Sequence, residues 1–421
     1  MKVFLLNIFK KNKDYIFTFI TEFIVLCSSI LVYKFSATIL GEEGFSIYAL
    51  TRRTVSFILP MVMIGLGVAL PRYIAFNHDN KKDINSLLVS SFLLFSISSF
   101  LLLIWFVLFK SNFSSLFFES SNYAYLIIPL VLYIFSLGLH ALVYGYFRGN
   151  LIMNKANFIQ LINIGIVPVL SFIFFRDIFS ILMFSAIAVF LFSLVFIYPI
   201  LSLKNINIIS LKPYIKKIFN YGIKRTPGDI ILAAYFTIPA YLITHEADII
   251  VGGYVAFAIT LINIFGATFT PISLILLPKA SLIIKNKEYF KLKIILRKLL
   301  ILSFSISIIG VIVIELFIPD ILVVYLGESY LKSVPIIKIL ILGSVGYTLF
   351  VALRSIIDAY YERAVNTLNT IFSFLLMFFS FPIMYFFNTD YYTILWFFAI
   401  SINVLGLLTL LHVIKIIKIN N

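Results

Sequence analysis

The segment FSIYALTRRTVSFILPMVMIGLGVALPR (45–72) is apolar almost throughout, yet Arg52 and Arg53 stand side by side inside it. Two guanidinium groups in an apolar run suit an anion, because arginine presents a planar fork of donors that matches phosphate or carboxylate oxygens. Neighbouring helical residues point about 100° apart, so the pair spans a wide arc and at least one should face protein. The plainer reading is interfacial anchoring: Arg52 lies about 11 Å from the start of its helix and can snorkel.

Other charges share the apolar runs. Glu22 and Lys34 both fall in the first one, twelve positions apart and too far round the helix to pair directly. Glu22 could take up a coupling proton or be satisfied by nearby hydroxyls; Lys34 could bind substrate or snorkel. At YGIKRTPGDI (221–230), Pro227 suits a first helical turn and Asp229 would complement that helix's dipole. Lys224 and Arg225 are then basic residues at the inner mouth. Arg148 and Arg354 occupy matching places in the two halves, and Asp358 follows Arg354 at pairing distance on a helix. The candidate binding set is therefore Arg52, Arg53, Lys34, Arg148, Lys224, Arg225 and Arg354. The candidate coupling set is Glu22, Asp229 and Asp358.

No other chemistry is signalled. The single cysteine, Cys27, allows no intrachain disulfide, and the four histidines show no ligand spacing. Motifs for nucleophilic hydrolysis, zinc proteolysis or nucleotide binding are missing, so no enzyme activity, metal or cofactor is expected.

The elements that must hold these charges are membrane helices. The chain of 421 residues is 62% hydrophobic and 12% charged, against about 25% charged for ordinary soluble domains. Apolar runs of membrane-spanning length recur from end to end, without the alternation of a barrel. Twelve spans are expected, among them Ile16–Ile39, Phe45–Ala75, Pro227–Thr244 and Ile250–Ile284. Of the 33 Lys and Arg residues, 26 collect on one side; the exceptions are Lys34, Arg52, Arg53, Lys110, Arg176, Lys332 and Lys338. That asymmetry places both termini in the cytoplasm. It also accounts for most of the net charge of +15 without nucleic acid.

The halves echo one another. GFSIYAL (44–50) matches GYVAFAI (253–259), Leu-Pro-Arg (70–72) matches Leu-Pro-Lys (277–279), and SLG…FR…KAN (136–157) matches SVG…LR…RAVN (344–366). The common offset, about half the chain, implies a parallel repeat with a cavity between bundles. The expected organisation is an N-terminal six-helix bundle (1–203), a cytoplasmic linker (204–226) and a C-terminal six-helix bundle (227–421).

The stretches LGEEGFSIYALTRR (40–53), GLGVALPRYIA (65–75), YFRGNLIMNKANFIQLINIGIVP (146–168), YGIKRTPGD (221–229), LGESYLKSVPIIKILILG (326–343) and LRSIIDAYYERAVNTLNTI (353–371) resemble polysaccharide flippases of the Wzx type, within the MOP superfamily. The resemblance implies an all-α integral membrane protein of two six-helix bundles (MATE-like) in the bacterial inner membrane. It implies transfer of undecaprenyl-pyrophosphate-linked oligosaccharide, such as an O-antigen unit, from the cytoplasmic to the periplasmic leaflet. Membrane lipid, a polysaccharide polymerase and a chain-length regulator are the implied partners. The rival readings are a membrane polysaccharide polymerase, an exporter of a lipid-linked peptidoglycan precursor and a drug exporter.

Overall fold

A computed structural model describes residues 13–77, 80–201, 208–361 and 363–419. Both chain ends, His78 and Lys204 lie outside the described residues, and so do Lys2, Lys10 and Lys11 of the basic count. Every regular element among the described residues is helical. In lipid a helix satisfies its backbone groups internally, which is why apolar runs of this length adopt it.

Contacts divide the chain into two compact units, residues 1–233 and 234–421. The first holds α1 (Lys13–Met63), α2 (Leu66–Phe76), α3 (Lys81–Leu108), α4 (Lys110–Phe118), α5 (Ile127–Gly149), α6 (Met153–Gln160), α7 (Val167–Phe174), α8 (Ile178–Ile197) and most of α9 (Ile208–Tyr235). The second holds α10 (Ile238–Glu246), α11 (Ile249–Ala267), α12 (Thr270–Lys285), α13 (Tyr289–Tyr325), α14 (Val334–Ile341), α15 (Ser344–Tyr360), α16 (Val365–Met377), α17 (Ser380–Phe387) and α18 (Tyr392–Ile419). In the first unit α5 packs against α8, α2, α3 and α1; in the second α15 packs against α18, α12, α13 and α11. These two hubs carry the echoed SLG…FR and SVG…LR segments.

Among the described residues ten helical runs are long and apolar enough to cross a membrane, and the bent pair Glu328–Ile341 and Ser344–Tyr360 makes eleven. One of the ten, Ile16–Met63, has 48 residues and would stretch about 72 Å if straight. It is interrupted at Gly41, whose φ of 70° and ψ of −171° are not helical. The rings of Tyr33 and Tyr48 lie 6.3 Å apart, where fifteen residues of straight helix would separate them by about 22 Å. The chain therefore doubles back at Gly41, the run is two passes, and eleven becomes twelve.

Two expectations need correction. The span Phe45–Ala75 is not one helix: Ile64 and Gly65, at φ 45° and 69°, break it between α1 and α2. The cause is a close approach, since a Cβ on Gly65 would meet the Gly222 Cα at 2.7 Å. Ile250–Ile284 likewise divides into α11 and α12. Second, Pro227 does not open a helix. It lies inside α9, so Asp229 is far from any helix start. Residues 208–226, read above as linker, are the first turns of α9. Their lysines and tyrosines obscured a helix whose amphipathic face docks on α2 and α3.

Breaks in the spans have side-chain compensation. At the 46° bend between α14 and α15, the Asn403 Oδ1 accepts the Gly346 N–H at 3.0 Å and its Nδ2 donates to the Leu342 carbonyl at 3.1 Å. A backbone group freed in lipid needs such a partner.

Candidate functional site

Charged clusters in the first unit hold most of the expected binding residues. The first follows from the hairpin at Gly41. Folding back brings Tyr33 of the first limb against Phe45 and Tyr48 of the second, with ring centroids 5.8 and 6.3 Å apart. Tyr48 and Arg52 are one turn apart on the same helix face. The Arg52 guanidinium thus comes to lie over the Tyr33 ring, 5.1 Å from its centroid. The Tyr48 hydroxyl is within hydrogen-bonding reach of Arg52, and Tyr133 of α5 is close enough to interact electrostatically. Tyr48 is braced edge-on by Phe172 of α7 at 5.0 Å. Arg52 is half-buried in this tyrosine box, whereas Arg53, turned about a helix quarter away, is only 6% exposed. The adjacent arginines therefore have different environments, and Arg52 is the more exposed of the two. Lys34, next to Tyr33, is half-buried.

The second cluster is on α5. His140, Tyr144 and Arg148 recur every four residues and share one face. The Arg148 guanidinium lies over the Tyr144 ring at 5.3 Å, and the His140 and Tyr144 rings stack at 5.8 Å. Glu22, on the first limb of α1, is near enough to attract Arg148, without a direct ion pair. His140 Nε2 is 3.0 Å from Gln160 Oε1 and its Nδ1 is 3.2 Å from Asn163 Nδ2, which suits a neutral ring with its hydrogen on Nε2. Asn163 sits in a π-helical turn, Leu161–Ile166, and also donates to Ser193 Oγ at 3.1 Å.

The remaining candidates are not gathered with these. Lys224 and Arg225 are exposed on α9, and Arg225 faces Asp229 at 3.8 Å, an exposed pair of little energetic weight. The expected Arg354–Asp358 pair does not form. Asp358 instead accepts Asn366 Nδ2 at 2.8 Å, the same nitrogen that bonds the Arg354 carbonyl at 2.9 Å, and the Arg354 guanidinium lies 6.0 Å from the Phe350 ring. Among the described residues no His, Cys, Asp or Glu group is arranged to hold a metal. A cavity of about 330 Å³ lined by Met61, Val62, Ser98, Leu101, Leu102 and Trp105 is apolar. Its one hydroxyl, Ser98, is occupied by the Val62 and Phe95 carbonyls.

Against known families, the one described as polysaccharide biosynthesis protein matches residues 12–284, more than half of the chain. The chain belongs to this family. Curated proteins give no match. Among solved structures, this polysaccharide biosynthesis protein is similar to an inward-facing multidrug resistance MATE family transporter of the MOP superfamily. The TM-score is 0.81 at 14% identity, over 96% of this chain and 98% of the other. It is also similar to the lipid II flippase MurJ in an inward closed conformation, with TM-score 0.74 at 16% identity over 96% and 89%. A MOP superfamily transporter from Pyrococcus furiosus, described by the reverse polarity of its binding pocket, gives 0.65 at 14% over 97% and 96%. The polysaccharide biosynthesis protein is thus a multi-pass membrane protein with the MOP transporter fold.

Sequence reasoning found the arginines and missed the rings. Tyr33, Tyr48, Tyr133 and Tyr144 went unnamed among 24 tyrosines. A signal was present: YALTR (48–52), YGYFR (144–148) and FVALR (350–354) each place an aromatic four residues before an arginine, the spacing that stacks them on a helix.

Proposed function

We propose that the protein is a Wzx-type flippase that moves an undecaprenyl-pyrophosphate-linked oligosaccharide, such as an O-antigen unit, across the bacterial inner membrane by alternating access. Membership of the polysaccharide biosynthesis family supports the substrate class, and the likeness to a lipid II flippase supports a lipid-linked cargo. Both termini are cytoplasmic in this reading, and a polymerase and chain-length regulator act on the delivered unit. No covalent step is needed.

The observation that carries the reading is Arg52 in its tyrosine box. At the offset of the GFSIYAL echo, 209 residues, the second half has Leu261 and Ile262 where the first has Arg52 and Arg53. The repeat can therefore be built without these charges, so a task beyond folding favours them. A guanidinium held by rings suits a pyrophosphate, and hydroxyls around it suit sugar. A cationic drug would be repelled by the same group.

The test is complementation. A strain lacking its own flippase, supplied with this chain and a panel of glycan gene clusters, should export at least one polysaccharide. It should otherwise accumulate lipid-linked units on the inner leaflet. Export of none, with the protein present at normal level and cationic dyes extruded instead, would reject the flippase reading.

A further inference from the structure

A second cationic site, on the first unit's basic side, is built from residues that none of the candidate sets includes. Tyr214, Lys217 and Tyr221 share one face of α9 and meet the end of α2 and start of α3. Tyr221 accepts a hydrogen bond from Arg72 Nη1 at 3.2 Å. The Arg72 guanidinium lies 4.9 Å from the Tyr221 ring and 5.3 Å from the Phe76 ring. Lys217 Nζ lies 4.7 Å from the Tyr73 ring, and Tyr73 and Tyr221 meet edge to face at 5.7 Å. Tyr214 closes the far edge by donating to Asp83. Gly222 seats the helix, because a Cβ there would be 2.1 Å from the Ile64 carbonyl oxygen.

Arg72 and Lys217 are exposed, and among the described residues neither makes an ion pair. Their positions are fixed by aromatic faces rather than by carboxylates. A ring contact restrains a cation without cancelling its charge. It also leaves donors available: a guanidinium has five N–H groups and an ammonium three, and the protein uses one of Arg72. Two restrained cations with open donors at the end of a membrane helix match a phosphate carried on a lipid.

We propose that Arg72 and Lys217, on the Tyr73–Tyr221 platform, form a binding site for the phosphate of a membrane-anchored lipid. Phosphatidylglycerol and a polyprenyl diphosphate offer that same chemistry. The test uses the purified full-length chain in mild detergent, with thermal melting and native mass spectrometry against added phosphatidylglycerol, phosphatidylcholine, undecaprenyl pyrophosphate and inorganic pyrophosphate. Phosphatidylglycerol, undecaprenyl pyrophosphate or both should stabilise the protein more than phosphatidylcholine does. Stabilisation by phosphatidylglycerol alone identifies bulk lipid as the source, and by the diphosphate lipid alone identifies the cargo. Removing both cations (R72Q with K217Q) should raise the half-maximal lipid concentration roughly 30-fold. Lys217→Gln alone, which alters only an exposed side chain, should raise it roughly fivefold. The control K212Q with K216Q removes two exposed lysines of the same helix that lie on no ring, and should leave it nearly unchanged. An equal loss in that control would reduce the effect to surface charge and overturn the site. So would wild-type affinity in both the double variant and Lys217→Gln, or stabilisation by inorganic pyrophosphate only.

Discussion

Replacing Arg52 should slow transport, and replacing Arg53 should destabilise the protein. Arg52 lies half-buried over Tyr33 at 5.1 Å, beside the Tyr48 hydroxyl. A charge-assisted hydrogen bond to phosphate contributes about 1.5–3 kcal/mol. Losing it at the transport transition state predicts a rate lower by about 10- to 150-fold, at 1.36 kcal/mol per decade. Arg52→Gln should show that loss with normal protein level. Arg52→Lys should fall between, because it keeps the charge and loses the fork. Tyr33→Leu should act in the same direction and more weakly, by the roughly 0.5–2 kcal/mol of a cation–π contact. Arg53 is 6% exposed, and substitutions at buried positions typically cost about 0.5–3 kcal/mol. Arg53→Gln should therefore lower the melting temperature and the amount of protein in the membrane. The assay is surface polysaccharide per flippase molecule at limiting expression, with lipid-linked intermediate measured in parallel. Arg52→Gln transporting at the wild-type rate per molecule would refute the reasoning, as would Arg53→Gln folding normally and slowing transport more than Arg52→Gln.

Three further outcomes follow from the geometry. Gly222→Val places side-chain atoms against the Ile64 carbonyl and Gly65 backbone, and should cost about 1–3 kcal/mol of overpacking, read as a lower melting temperature. Asn403→Leu leaves the Gly346 N–H and Leu342 carbonyl at the α14–α15 bend without a partner, and should cost about 1–3 kcal/mol for each group; Asn403→Gln should not restore it. Glu22, on the first limb of α1, lies near Arg148 without an ion pair, whereas Asp229 faces Arg225 and Asp358 accepts Asn366. Glu22→Gln should abolish dependence of transport on a proton gradient in reconstituted vesicles, while Asp229→Asn and Asp358→Asn should retain it.

The helices were legible because lipid permits few alternatives for apolar runs of this length, and the half-chain echoes marked α5 and α15 as corresponding hubs. The break at Gly65 was not legible. GLG in an apolar run reads as small residues in a helix, and what bends it is the approach of Gly222, more than 150 residues away. The start of α9 was misjudged for the opposite reason. Local charge and Pro227 outweighed a weaker helical periodicity, and the tyrosines and lysine of that face declare themselves only against Arg72, Tyr73 and Asp83. In the site, residue type announced the arginines, but their separation into one half-buried and one buried group depends on where the hairpin at Gly41 sets Tyr33.

The rings answer a difficulty that charge alone leaves open. An arginine at the centre of a membrane helix costs about 2.5–3.5 kcal/mol and less towards its ends, and a fixed carboxylate would offset that cost while competing with an anionic cargo. Aromatic faces offset part of it, about 0.5–2 kcal/mol, and do not neutralise the charge. The same device recurs: Arg52 over Tyr33, Arg72 over Tyr221, Arg148 over Tyr144 and Arg354 beside Phe350. Among the described residues Arg72, Arg148 and Arg354 make no ion pair. Arginines kept cationic in this way remain available to a phosphate that arrives and leaves, which a transporter needs and a static anchor does not.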